Sequence, residues 1–283
     1  LKVIRHPGTI IFATIINNKR PPFNDVRVRQ ALAYAINKQE ILQTVFNGEG
    51  EIVGCWMTPS SPCYDKSSED LFPYDPERAK QLLAEAGYPN GFEFTYTLPA
   101  DYEYHVQVGT VIASQLEKVG IKAKIEMVDW TTWLNRVYNG RDYDVTQIGH
   151  TGRIDPSDLL NRFKSYHPKN YMNYSNPEVD KLLEEAEYCL DEQKRNELYR
   201  QALRIMAEEV ASLPLFIPYK LYGAKECVTG LKPYPIDVLD LKTVEKASET
   251  SSSLWAVFTA DLRNASDLEE VGRWFLRGIW RRG

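Results

Sequence analysis

Residues 9–17, Thr-Ile-Ile-Phe-Ala-Thr-Ile-Ile-Asn, form an apolar, β-branched run that predicts a buried strand. Pro21-Pro22 breaks the chain. Beyond it Val28, Ala31, Leu32, Ala35 and Ile36 recur at helical spacing, with Asn24 or Asp25 placed to cap the helix and Gly48 or Gly50 to end it. From 50 to 73 the pattern lapses into Ser and Pro, which predicts a long surface loop. Asp75 then caps a helix with Pro76 in its first turn; Ala79, Leu82, Leu83 and Ala86 share a face, and Gly87 stops it. Phe92–Leu98 alternates as a half-buried strand does, and a helix over about 103–119 ends at Gly120. Ile121, Ala123, Ile125 and Met127 alternate with charge in a further strand, Asp129 caps a short helix over 130–138, and 143–148 is strand again. Strands alternating with helices predict an α/β layer structure.

The second half reads mostly as helix. One helix begins near Asp155-Pro156, and Asn176-Pro177 opens another with Val179, Leu182, Leu183 and Ala186 on its face. A long helix over about 191–210 carries Leu198, Ala202, Ile205 and Met206, and 213–222 returns to strand character. Residues 249–283 differ in kind. Glu249–Ser253 reads as a linker, and Ser266 with Glu269 makes a capping box ahead of Val271, Trp274, Phe275 and Ile279. With Arg273, Arg277, Arg281 and Arg282 this predicts a basic amphipathic helix, docked on its own protein or lying on a membrane surface.

Charge narrows the function classes only slightly. Lys and Arg number 34 against 39 Asp and Glu, a net charge of −5, which argues against non-specific nucleic-acid binding. Aromatic residues at 12% argue against disorder, and no apolar run approaches the roughly 18 residues that span a bilayer. The chain opens Leu1-Lys2-Val3-Ile4, without an initiator Met or the regions of a signal peptide, so a processed chain or a fragment is expected. Four cysteines lack the Cys-x-x-Cys spacing of a zinc site. Cys55 and Cys63 flank a short Pro/Ser-rich loop, and a disulfide staple and buried free thiols both remain open for them.

No His-Glu-x-x-His pair, Gly-x-Ser-x-Gly elbow, Gly-x-Gly-x-x-Gly turn or phosphate-binding loop is present, so catalytic residues, metal and cofactor are all expected to be none. One segment is chemically dense: Asp142-Tyr143-Asp144-Val145-Thr146-Gln147-Ile148-Gly149-His150-Thr151-Gly152-Arg153-Ile154-Asp155-Pro156. It reads as a strand, a Gly-bracketed loop and a helix start, and ligands in α/β sheets collect where strands end. Gly149 and Gly152 admit close backbone approach, and Arg153 offers a planar fork of donors for a carboxylate or phosphate. The alternative is that Arg153 pairs with Asp155 or Asp158 and the glycines merely turn the chain.

Several stretches together resemble a known family. Pro22-Phe23-Asn24-Asp25-Val26-Arg27-Val28-Arg29-Gln30-Ala31-Leu32 with Ala35-Ile36-Asn37-Lys38 is similar to family 5 solute-binding proteins of ABC importers, the dipeptide-, oligopeptide- and nickel-binding type. Tyr74–Tyr88, Gln115–Ile121, Asp142-Tyr143-Asp144, Asp155-Pro156, Asn176–Leu183 and Pro214-Leu215 follow in the family's order, so the likeness covers about 1–245.

The resemblance implies a periplasmic-binding-protein-like fold (type 2, cluster C), here the second lobe with partial return strands of the first. Residues 1–22 would be a strand and hinge of lobe one, 23–215 lobe two, 216–248 a return to lobe one, and 249–283 a linker and tail. It implies an extracytoplasmic or periplasmic protein, monomeric when complete, that captures a peptide or small polar solute by hinge closure and hands it to a membrane permease. A missing N-terminal lobe is expected, with no nucleic-acid partner. A ligand-sensing domain of a transcriptional regulator and a hydrolase are the rival readings. In peptide-binding relatives the loop after the Asp-Tyr-Asp strand carries a Trp and then an Asp that holds the peptide's amino group. Alignment sets His150 and Arg153 at those two places, and a cation cannot receive an ammonium group. The expected ligand residues are therefore Gly149, His150, Thr151, Gly152, Arg153 and Asp155, with Trp130 and Trp133 as stacking walls or as core.

Overall fold

A computed structural model of the chain describes residues 1–153, 155–234, 239–246 and 258–259. The expected linker and basic helix over 249–283 lie outside the described residues, apart from the backbone of 258–259. The described elements begin with β1 (Lys2–Pro7), β2 (Ile10–Ile16), α1 (Val26–Ala35), α2 (Lys38–Phe46) and β3 (Gly50–Ile52). A 3-10 turn (Lys66–Asp70), α3 (Pro76–Glu85), β4 (Glu93–Pro99), α4 (Glu103–Glu117) and β5 (Lys122–Val128) follow. Next come α5 (Trp130–Thr132), a π-helical stretch (Trp133–Asn139), β6 (Val145–Thr151), α6 (Ser157–Leu160), α7 (Pro177–Tyr188), α8 (Glu192–Glu208) and β7 (Leu213–Ala224).

Contacts divide the chain into two compact units, Thr9–Ile217 and Leu1–Gly8 with the segment from Pro218 onward. The boundaries expected at 22/23 and 215/216 therefore fall at 8/9 and 217/218. The reason for the first shift is β2, which pairs residue for residue with β6 from Ile10↔Thr151 to Ile16↔Val145 and so belongs with the larger unit.

In that unit the strands run β7-β2-β6-β4-β5. β2 is antiparallel to both neighbours, while β4 is parallel to β5 and β6. The run at 9–17 is uncharged and mostly apolar because both faces of β2 are covered. Ile11, Ala13 and Ile15 join one core with Trp56, Trp133, Phe163, Tyr171 and Tyr199; Phe12 and Ile16 join another with Phe23, Leu32, Tyr96 and Leu116. In the smaller unit β1 pairs antiparallel with the later part of β7, Lys2↔Ala224 to Pro7↔Tyr219.

The single helix expected over 24–48 is two helices. Asp25 caps α1, accepting from Arg27 N, but Ile36 is extended and Asn37 caps α2 by accepting from Glu40 N at 3.0 Å. An Asn cap three residues ahead of a Glu restarts a helix even where the apolar spacing continues. The surface loop expected at 50–73 is also corrected. Val53, Cys55, Trp56, Met57 and Cys63 are buried, Val53 N donates to Leu215 O, and Trp56 Nε1 donates to Ser212 Oγ at 2.6 Å. All four cysteines are free thiols, and burial pushes the Cys55 thiol up to about 11.

Arg29 shows how α1 is fixed to its neighbour. It is 6% exposed, and its guanidinium donates to Glu209 O, Val210 O and Phe23 O at 2.9–3.2 Å, closing the C-terminus of α8. The Glu209 and Val210 carbonyls lie at the negative end of the α8 dipole, and Phe23 O precedes α1. Arg29→Met keeps the stem and removes three charge-assisted bonds, so its urea midpoint should fall by the equivalent of about 2–3 kcal/mol. An unchanged midpoint would mean that water satisfies these carbonyls.

Candidate functional site

β4, β5 and β6 are parallel, so their C-terminal ends at Pro99, Val128 and Thr151 open onto one edge of the sheet. Gly149, His150 and Thr151, expected in a loop, are instead the last three residues of β6, paired with Phe12, Ile11 and Ile10. The antiparallel partner β2 extends the strand. Gly149 is required by packing rather than by a turn: a Cβ there would lie 2.5 Å from Ile10 Cγ2 and 3.3 Å from His105 Cε1. At Gly152 a Cβ would meet Thr58 Cγ2 and Thr9 O at 3.0 Å, and its N–H donates to Thr9 O at 2.5 Å.

Strand alternation turns His150 to the side of Trp56 and Tyr171, with ring centroids 5.4 and 6.0 Å away. Arg162 Nη1 donates to His150 Nδ1 at 2.8 Å, which makes Nδ1 the lone-pair nitrogen. The ring proton therefore sits on Nε2 and donates to Tyr171 Oη at 2.7 Å. Burial first, then the positive charge of Arg162, holds His150 well below the usual imidazole range, so it is neutral. On the opposite side of β6, His105 Nε2 accepts from Gly149 N at 3.3 Å, and burial lowers this ring to about 4.

Arg153 is exposed. Among the described residues it pairs with neither Asp155 nor Asp158; Asp155 Oδ1 instead accepts from Ser157 N at 2.9 Å and starts α6. The two tryptophans are stacked at 4.9 Å with planes 7° apart, but they differ in exposure. Trp133 is 2% exposed and donates from Nε1 to Thr146 Oγ1 at 2.9 Å, so it is core. Trp130 is half-buried at the end of β5, its backbone N–H held by Asp101 and its ring edge-on to Tyr102. Gly149, Thr151, Gly152, Arg153 and Asp155 thus lie at or just past the end of β6, with His150 turned toward Trp56; Trp130 stands at the end of β5, on the far side of β4, and Trp133 is core.

Sequence reading missed Arg162, Tyr171, Trp56 and His105. Arg162 lies in a 3-10 turn (Asn161–Phe163) too short to show a period and Tyr171 in an irregular segment, whereas His105 shares the buried face of α4 with Val108 and Ile112, a signal that was available. Among the described residues no three His, Cys, Asp or Glu side chains gather to hold a metal ion, and no helix is long and apolar enough to cross a membrane. The arrangement offers donors, cations and an aromatic ring at a strand edge, equipment for holding a polar solute.

A family model described as bacterial extracellular solute-binding proteins, family 5 middle, matches residues 1–195. The chain is 33% identical over 243 residues to the dipeptide-binding protein of Pseudomonas aeruginosa PAO1, covering 83% of this chain and 45% of that protein. Among solved structures it is similar to HbpA2 from Haemophilus parasuis, with a TM-score of 0.78, 26% identity, and coverage of 87% of this chain and 50% of that one. It is also similar to AgaA of A. tumefaciens R10 in complex with agropinic acid, with a TM-score of 0.72, 27% identity, and coverage of 88% and 52%. The chain spans about half the length of the relatives it matches.

Proposed function

Because this chain belongs to the bacterial extracellular solute-binding proteins of family 5, we propose that it supplies one ligand-binding lobe of the extracytoplasmic receptor of an ABC importer, and that it takes an anionic peptide or related small acidic solute. Residues Thr9–Ile217 form that lobe. The strand ends of β4, β5 and β6 carry the ligand, and Trp130 offers a ring to stack on. The relatives are named for binding rather than for catalysis, and the chemistry needed is recognition alone. Ligand binding shifts a hinge equilibrium toward a closed form only so far as the closed form binds it better. The closed receptor then delivers its solute to a membrane permease.

The observation that carries the acidic preference is Arg153, an exposed guanidinium at the end of β6 with no ion pair among the described residues. A cation there repels a free peptide amino group and attracts a carboxylate. The acid bound in the AgaA structure agrees with this reading.

The test is isothermal titration of the receptor at its full natural length with N-blocked acidic peptides and with free-amine neutral peptides. Arg153→Ala should weaken the acidic set by about tenfold to hundredfold, the worth of one charge-assisted pair. Tight binding of the neutral free-amine set, indifferent to Arg153→Ala, would discard the anionic assignment while keeping the family.

A further inference from the structure

We propose that Arg162 is a second ligand-recognising cation beside Arg153, so that this edge selects solutes carrying two negative charges at one end; the inference rests on the anionic reading of Arg153. The geometry is that of a guanidinium held in place but not neutralised. Its Nε donates to Leu159 O at 3.0 Å and its Nη1 to His150 Nδ1 at 2.8 Å, both neutral acceptors. Among the described residues Arg162 has no ion pair, and Nη2 has no hydrogen-bond acceptor.

Two other buried cations of this chain are compensated, while a third, Lys38, donates to Val53 O at 2.9 Å with no ion pair among the described residues. Arg29 closes the negative end of α8, with Glu209 acting on it, and Lys164 pairs with Glu187 at 2.6 Å. Arg162 feels Arg153 as its charged neighbour, together with the phenols of Tyr171 and Tyr138. A partly buried charge without a counter-ion is costly, and a second cation nearby raises that cost. An anion arriving at this edge relieves both.

His150 explains why the fork stays aimed. Its neutral ring is locked by Tyr171 on one nitrogen and presents a lone pair to Arg162 with the other. It is a positioning residue for the guanidinium. Asp155 Oδ1 accepts from Ser157 N, and among the described residues neither Asp155 nor Asp158 forms an ion pair with Arg162. Two cations near one strand end favour a dianionic group, such as two carboxylates on neighbouring carbons or a short acidic side chain next to a C-terminal carboxylate.

The experiment is titration of the protein at its full natural length with N-acetylglutamate, a dianion, and N-acetylglutamine, its monoanionic counterpart. Wild type should bind the dianion about tenfold or more tightly than the monoanion. Arg162→Gln should bring the two to equal affinity while leaving the monoanion unchanged, and Arg153→Gln should weaken both. The melting temperature of Arg162→Gln without ligand should fall by less than that of Arg29→Met, because the lost bonds to Leu159 O and His150 are offset by the removal of a charge without a counter-ion. If that variant does not fold, Arg162→Lys, which keeps the charge and loses the fork, should retain a reduced preference. Equal affinities in wild type, or a preference that survives Arg162→Gln, overturn the proposal. A monoanion that binds but ignores Arg153→Gln, or no binding by either acid, overturns the underlying reading of Arg153 instead.

Discussion

Replacing Trp133 with alanine is expected to lower stability by about 4 kcal/mol, near the upper end for a buried aromatic. Three losses add. The indole is 2% exposed, so truncation opens a large cavity between β6 and the π-helical stretch. Its stack on Trp130 and its edge contact with Tyr171, 4.9 and 6.2 Å between centroids, disappear. Thr146 Oγ1, which donates to Thr97 O, loses the Nε1 donor it accepts from. Trp133→Phe keeps most of the packing and removes only the hydrogen bond, so about 1–2 kcal/mol is expected. Urea unfolding with an unchanged slope reads both values. A ligand wall would behave otherwise: Trp133→Ala would then leave the midpoint alone and weaken binding.

Stability should also fall as the pH drops from 7.5 to 5, well before the carboxylates titrate. His105 is 7% exposed, and its pKa is lowered to about 4 by burial. The unfolded chain takes up this proton near 6.5, the folded chain only near 4. Stability is therefore complete above 6.5 and is lost as the pH falls through that value toward 4. The loss from His105 alone is about 2 kcal/mol by pH 5 and about 3 kcal/mol at pH 4. His150, lowered in the same direction, adds to it. Asp25, Glu126 and Asp129 are held below their usual values by hydrogen bonds and charge, so their contribution is lost at lower pH still. His105→Gln removes the titration and should flatten the dependence of the urea midpoint on pH. A wild-type midpoint that does not move between pH 7.5 and 5 would mean that both rings already carry protons or reach water.

Elements with a local cause were legible. Asp75 with Pro76 and Asn176 with Pro177 open α3 and α7 where their cap chemistry places them, since a cap and its helix are neighbours in sequence. Elements made by distant partners were not. Cys55, Trp56 and Met57 have no period of their own and are buried by chain more than a hundred residues away, as the bond from Trp56 to Ser212 shows. The same holds at the candidate site. Gly149, Gly152 and Arg153 stood out by composition, whereas the arginine that donates to His150 comes from a 3-10 turn of three residues, too short to show a period, next to the buried Phe163. Separating Trp130 from Trp133 required knowing which ring meets Thr146, and no spacing encodes that.

The pairing of β2 has a consequence for how the chain is made. Thr14 meets Gln147 across 133 positions, and β7, the other neighbour of β2, ends later still. During synthesis the run Ile-Ile-Phe-Ala-Thr-Ile-Ile emerges before both of its partners, with its backbone groups bonded only to water. Non-local pairing of this kind slows folding, and a short, uncharged β-branched segment is an aggregation hazard for as long as it waits. The sheet cannot close until the chain has emerged past Ile217. Keeping this one strand covered until Ile217 has emerged would protect an aggregation-prone part of the larger unit.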